Sequence, residues 1–146
     1  MKIEKISNSI YRKFSDKEME QFFQDFFGKK DGKEYYKTYS VKEKKIFFAA
    51  KEGRKTVGVV SLRIGYKVAG IGAFVVGKGY RKKGVGSKLL EKCESVAKKN
   101  KCKKIWLWTL PTIKAYEFYK KRGYIEEARL KKHFGGKDLS VMSKFF

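Results

Sequence analysis

The stretch from Phe74 to Cys93 reads Phe-Val-Val-Gly-Lys-Gly-Tyr-Arg-Lys-Lys-Gly-Val-Gly-Ser-Lys-Leu-Leu-Glu-Lys-Cys, and it restricts the fold more than any other. It begins as a β-branched apolar run that ends at Val76. A basic, glycine-rich turn follows, and then an amphipathic helix with Leu89, Leu90, Cys93, Val96 and Ala97 on one face. Strand, glycine turn and helix N-terminus, in that order, offer an anion unpaired backbone N–H groups and the positive end of a helix dipole. Gly84 and Gly86 carry no Cβ, so a phosphate can approach the main chain closely. Arg81, Lys82 and Lys83 add positive charge beside them. The stretch reads as a diphosphate cradle, with an ordinary strand-to-helix turn as the alternative.

The glycine spacing excludes two commoner cradles. Gly79 to Gly84 has the first spacing of a P-loop but is followed by Val85 where that motif needs Lys. Gly77-Lys78-Gly79 begins a dinucleotide fingerprint but reaches Lys82 where the third glycine belongs. What remains is Arg81-x-x-Gly84-x-Gly86 after an apolar strand.

A chain of 146 residues with 12 Phe and 9 Tyr can bury one core without disulfides or metal, so a single domain over residues 1–146 is expected. Cys93 and Cys102 have no metal-ligand spacing, and Cys93 falls on the apolar helix face as a small core residue. No disulfide framework is indicated, no metal is expected, and a reducing cytoplasm is the default compartment. No run approaches the roughly 18 apolar residues of a membrane helix, and the N-terminus lacks an apolar signal core. The formal net charge of +22, from 37 Lys and Arg against 15 Asp and Glu, favours polyanions. The lysines are scattered through every segment, so this predicts incidental affinity for nucleic acid, and no nucleic-acid-binding signature accompanies it.

Along the chain, Lys2 to Ser7 alternates as an edge strand does. Ser15-Asp16-Lys17-Glu18 has capping-box spacing, with Phe14 and Met19 placed as its hydrophobic staple. A core-facing stripe of Met19, Phe22, Phe23, Phe26 and Phe27 follows at helical spacing, and Gly28 stops it. Residues 29–40 form a second short helix or a loop. Strands are expected over 46–51, 56–66 and 67–76, a helix over 87–100, and a strand over 104–109 with Trp106 and Trp108 on one face. Ile113 to Arg122 reads as a helix with Thr112 as its N-cap and Gly123 as its C′ residue. Strands over 124–129 and 138–145 close the chain around the loop His133-Phe134-Gly135-Gly136. The pattern is α/β in the α+β sense: a single mixed sheet with helices packed on it.

The Arg81-x-x-Gly84-x-Gly86 pattern resembles the acetyl-CoA-binding motif of the GNAT superfamily of N-acyltransferases. A second stretch agrees with it. Thr112-Ile113-Lys114-Ala115-Tyr116-Glu117-Phe118-Tyr119-Lys120-Lys121-Arg122-Gly123-Tyr124 is similar to the family segment Asn-x-x-Ala-x-x-x-Tyr-x-x-x-Gly-Phe. The end of the chain, Arg129 to Phe134 and Asp138 to Met142, resembles the C-terminal hairpin of protein N-terminal acetyltransferases, including the ribosomal-protein enzymes. The resemblance implies the GNAT fold, a central mixed, mostly antiparallel sheet flanked by helices.

It also implies roles. Main-chain groups of Phe74, Val75 and Val76 would pair with the pantetheine arm of acetyl-CoA. Arg81, Lys82, Lys83, Gly84, Val85, Gly86 and Ser87 would hold its diphosphate, and Thr112 and Ala115 stand at further cofactor positions. Tyr119 would touch the cofactor and protonate the departing thiolate, as a phenol of pKa near 10 can; a plain core tyrosine is the alternative. Thr112 replaces the usual Asn. Leu107 stands where protein N-terminal acetyltransferases often carry a Glu base, so no base is identified; His133, of a type that titrates near neutrality, is a candidate on the closing loop. In the family the acceptor lies between the first helices and the final hairpin, here Tyr35, Tyr36 and Tyr39 against His133 and Phe134. The resemblance implies direct acetyl transfer from acetyl-CoA to a primary amine, such as a peptide N-terminus or a small-molecule amine, by a monomer or homodimer. The alternative is a non-catalytic acyl-CoA-binding or RNA- or ribosome-associated module.

Overall fold

The structure, a computed structural model, describes residues 4–40 and 43–146, the side chains of 38–40 excepted. The chain divides into two compact units, Met1–Lys42 and Glu43–Phe146.

The first unit is a pair of helices, α1 (Asn8–Phe27) and α2 (Lys29–Ser40). The expected edge strand over Lys2–Ser7 does not form where it is described: residues 4–7 carry no regular structure, and residues 1–3 lie outside the described residues. Ser7 instead caps α1, its Oγ accepting from the Ile10 N–H at 3.3 Å. The capping box at Ser15 is therefore corrected. Ser15 sits inside α1 and its Oγ donates to the Arg12 carbonyl, because helix propensity carries the turn past it from an earlier, equally good cap. Gly28 ends α1 at φ 84°, as expected. Of the aromatic stripe, Phe23 packs on Phe27 and Tyr36, and Phe27 on Tyr35 at 4.8 Å. Phe22, Phe26 and Phe27 are exposed and no residue of α1 is buried, so the stripe packs on α2 without forming a buried core. The two helices meet closely at Gly32, where a Cβ would come within 2.4 Å of the Gln24 Cα and the Phe23 carbonyl.

The second unit is an α+β fold built on one six-stranded mixed sheet in the order β1-β2-β3-β4-β6-β5. Its strands are β1 (Lys44–Glu52), β2 (Lys55–Gly65), β3 (Val68–Val76), β4 (Lys104–Thr109), β5 (Ile125–Phe134) and β6 (Lys137–Phe145). All neighbours are antiparallel except β3 and β4. Gly135 and Gly136 both have positive φ, as a two-residue hairpin between right-twisted strands requires. The expected connection over residues 130–137 thus shrinks to two residues, and His133 lies in β5, exposed, where the sequence reading placed it on a loop. The tight Gly-Gly turn lets the ladder extend that far.

Helix α3 (Val85–Lys99) lays Leu89, Leu90, Cys93 and Ala97 over Val60, Leu62, Ala69, Ile105, Leu107 and Met142 of the sheet. Helix α4 (Lys114–Lys120) adds Tyr119 to this core, with Tyr116 and Phe118 half-buried against it. Thr112 does not cap α4: Ile113 holds the N-cap position and no side chain bonds there. The rigid ring of Pro111 opens a turn that delays the helix by one residue. At the other end Gly123, at φ 83°, makes the expected C′ residue; its N–H reaches the Lys120 carbonyl while the Tyr124 N–H reaches that of Tyr119. Among the described residues no helix is long and apolar enough to cross a membrane.

Candidate active site

The parallel pair β3–β4 shares only Val68/Lys104, Ala69/Ile105 and Gly70/Trp106. Beyond them Ile71–Val76 keeps β2 on one side and 107–109 keeps β6, so the two facing edges carry main chain outside any ladder. Which groups face that opening follows from the alternation of an antiparallel pair. Gly77 N–H donates to the Val57 carbonyl at 2.9 Å, which makes 57/77 a hydrogen-bonded pair. Val76, opposite Gly58, and Phe74, opposite Val60, are then in non-bonded pairs and turn N–H and C=O toward the opening. Val75, opposite Val59, turns toward β2; its carbonyl would lie 3.2 Å from a Cβ on Gly58. The expected main-chain trio therefore reduces to Phe74 and Val76. The Val76 carbonyl receives the Arg81 Nε at 3.0 Å.

Immediately after β3 a 3-10 turn (Lys78–Tyr80) leads to Arg81, Lys82 and Lys83, all exposed. Lys82 has φ 61° and Gly84 φ 81°. Gly84, which only a Cβ-free residue takes up without strain, is the N-cap of α3, and no side chain caps the helix. The first internal bond runs from the Lys88 N–H to the Gly84 carbonyl at 3.0 Å. The Val85, Gly86 and Ser87 N–H groups thus end the helix unpaired, with no acidic residue in the first turn. Backbone dipole and three basic side chains point to the same ligand type, an anion. Gly86 lies between the rings of Phe118 and Phe74, 3.5 and 3.7 Å from where its Cβ would be.

Both motifs converge through these rings. Tyr119 is 7% exposed; its ring sits 6.4 Å from Phe74, 5.2 Å from Phe118 and 5.7 Å from Tyr124. Its hydroxyl forms no hydrogen bond among the described residues, although no fully buried side-chain oxygen there lacks a partner. The hydroxyl is therefore in touch with solvent. Burial pushes the Tyr119 phenol up to about 12, so it holds its proton at every physiological pH. Ala115 is half-buried against the core and Thr112 is exposed in the turn before α4.

Three glutamates of the second unit, Glu94, Glu126 and Glu127, are all engaged. Glu126 accepts from Arg129 Nε and Nη2 and from Ser140 Oγ, each at 2.9 Å, and from the Tyr116 hydroxyl; Arg129 chiefly holds it down at about 2. Glu127 takes Lys104 Nζ at 2.6 Å and the Ser143 hydroxyl, and is lowered mainly by Lys104. Glu94 takes Tyr124 and Lys144. Leu107 is buried in the core. Cys93 is pushed up to about 12 and Cys102 upward, both by burial, so neither is a nucleophile. Among the described residues no cluster of His, Cys, Asp and Glu has the makings of a metal site.

Sequence reasoning missed two elements of this arrangement. Arg122, read only as the last residue of the expected helix, reaches Ser87 on α3. Tyr124, at the family's Phe position, places its hydroxyl on Glu94 at 3.2 Å. The polar residue where the resembled motif has Phe was the signal for the second; only a through-space contact reveals the first. Of the expected acceptor-binding aromatics, Tyr35 and Tyr36 pack within the first unit, the side chain of Tyr39 lies outside the described residues, and Phe134 packs 5.3 Å from Trp108 in the second unit.

No curated protein matches the chain in sequence. Its fold is shared by solved acetyltransferases. One from Bacillus cereus ATCC 14579 superposes with a TM-score of 0.72 at 22% identity, covering 100% of this chain and 98% of that one. The ribosomal-protein-S18-alanine N-acetyltransferase from Escherichia coli gives 0.64 at 20% identity, over 74% of each chain. A protein from Bacillus anthracis str. Ames described as a streptothricin acetyltransferase, in complex with acetyl coenzyme A, gives 0.65 at 22% identity, over 77% of this chain and 68% of that one. The family profile for the acetyltransferase (GNAT) family matches residues 8–124, which spans the uncapped helix, the open strand edge and Tyr119. The chain belongs to the GNAT acetyltransferase family.

Proposed function

We propose that the protein is an N-acetyltransferase that moves an acetyl group from acetyl-CoA to a primary amine, by direct attack within one ternary complex, and that its two units act as one catalytic domain. The observation that carries this reading is Tyr119: a buried phenol whose hydroxyl has no hydrogen-bond partner among the described residues, packed against Phe74 on the open edge of β3. The cradle suits a diphosphate, with an uncapped helix start, left-handed Gly84 and three adjacent cations. Acetyl-CoA, when bound, supplies the activated acetyl thioester. Phe74 and Val76 would hold its pantetheine amides as an added strand is held, Val76 once Arg81 gives up its carbonyl. Arg81, Lys82, Lys83 and the N–H groups of residues 84–87 would hold its diphosphate. Tyr119 Oη keeps its proton until negative charge grows on the departing sulfur, and donates it then.

The acceptor must arrive as the neutral amine. With Glu94, Glu126 and Glu127 already bonded, that proton goes to water, and a protein of net charge +22 lowers the pKa of an ammonium beside it. The same field favours a peptide N-terminus on an acidic partner over a polyamine. Cytoplasmic location is part of this reading, since Cys93 and Cys102 are free thiols. The engagement of all three carboxylates is also what favours the second reading, a module that binds acyl-CoA without catalysis.

Tyr119→Phe separates the two. It keeps every ring contact and removes no hydrogen bond, so stability should hold within about 0.5 kcal/mol. Turnover of an amine and peptide panel should fall about 100-fold or more while the acetyl-CoA dissociation constant stays put. Full activity in the variant sinks the assignment of Tyr119, and a wild type that binds acetyl-CoA but acetylates nothing favours the second reading.

A further inference from the structure

Arg122 stands at the C-terminal end of α4, four residues beyond Phe118, and bridges to the start of α3. Its guanidinium carbon lies 3.7 Å from the centroid of the Phe118 ring, its Nη1 donates to the Phe118 carbonyl at 3.1 Å, and its Nη2 donates to Ser87 Oγ. Phe118 in turn packs on Gly86. Ring, carbonyl and hydroxyl together fix a planar fork that a single contact would leave free to swing.

A guanidinium has donors and no acceptor, so in this bond Ser87 Oγ accepts. The Ser87 hydroxyl makes no other hydrogen bond among the described residues. A serine in the first turn of a helix can also turn its proton back onto the preceding backbone. Here one of the oxygen's two lone pairs accepts from Arg122, and its proton is left to point elsewhere, on the residue whose own N–H belongs to the uncapped rim. We propose that Arg122 is a positioning residue of the diphosphate cradle, acting through Ser87, whose hydroxyl it presents as a donor to the anion. The inference rests on the acetyl-CoA reading above. Because Arg122 follows two residues after α4, which carries Tyr119, the same bridge ties the anion end of the site to the helix of the proposed acid.

The test is a double-mutant cycle of Arg122→Met and Ser87→Ala, with binding of acetyl-CoA and of acetyl-pantetheine, which lacks the diphosphate, measured by titration at about 0.3 M salt to screen loose polyphosphate contacts. Each single variant should weaken acetyl-CoA about tenfold, the double variant no more than either single one, and acetyl-pantetheine should be unaffected throughout. Equal losses for both ligands would mean that Arg122 only holds α4 in place, and additive losses that it contacts the ligand independently of Ser87; either overturns the proposal. So does an Arg122→Met protein that binds acetyl-CoA as tightly as wild type. A wild type that binds neither ligand removes the acetyl-CoA reading itself. If Arg122→Met does not fold, Arg122→Lys in the same cycle carries the test: it keeps a donor but not the fork, and should weaken acetyl-CoA severalfold only when Ser87 is present.

Discussion

Replacing Glu126 by Gln leaves shape and volume nearly unchanged and removes one charge from a knot of four bonds to three partners. In the wild type the carboxylate receives two bonds from Arg129 and one from Ser140, all at 2.9 Å, together with the Tyr116 hydroxyl. An amide has one oxygen, and its NH2 group turns donor against donor toward Arg129 or Ser140. The carboxylate is held at about 2 against about 4.3 for an unperturbed Glu, a difference worth about 3 kcal/mol. The Arg129 side chain is 44% exposed, so solvent takes back a good part, and about 1.5 kcal/mol is the expected cost of Glu126→Gln at pH 7. For a chain of this length that is about 5 °C in Tm. The sign of the pH dependence follows from the lowered value. The unfolded chain takes up its proton first on acidification, so the contribution is complete above about pH 5 and disappears as the pH falls toward 2. Urea melts of both proteins from pH 7 to 2.5 should therefore show a gap that closes with acid, every other titrating group cancelling in the difference. An equal stability of the two proteins at pH 7, or a gap that persists undiminished at pH 2.5, refutes the reasoning.

Gly32→Ala should destabilise the helix pair by about 2 kcal/mol or more, because its Cβ would meet α1 backbone at 2.4 Å and backbone cannot swing aside; hydrogen exchange of α1 and α2 amides measures this directly. Cys93 and Cys102 should react with a thiol reagent at least 100-fold more slowly in the native protein than in urea, given their burial and raised pKa values, and labelling that is as fast in the native state would contradict the core assignment.

Much of this was legible before any coordinates. Strands and helices from residue 44 onward are legible in kind and order because apolar period and Gly turns agree, while some ends shift: α4 starts one residue late and β5 runs five residues further. The glycine turn between β3 and α3 was readable too, since a residue without Cβ is what its left-handed position takes up without strain. The start of the chain was misread because two serines both suit an N-cap, and local chemistry does not rank Ser7 above Ser15. The roles of Arg122 and Glu126 were illegible for a different reason: Arg122 meets Ser87 across 35 residues, and Glu126 meets Ser140 across 14. Val75 is the instructive intermediate case, because its strand was evident, yet which edge its amide faces depends on a register that only pairing with β2 defines.

The three shared pairs of β3 and β4 have a mechanical consequence. The sheet is two three-stranded leaves on a short spine, β1-β2-β3 and β4-β6-β5, and parting them breaks few rungs. What ties them together is α3, whose Leu89, Leu90, Cys93 and Ala97 share one core with residues of both leaves. An extended molecule laid along the gap would supply the rungs that the backbone omits, so in such a sheet a ligand is also a structural member, and occupancy and rigidity become the same variable.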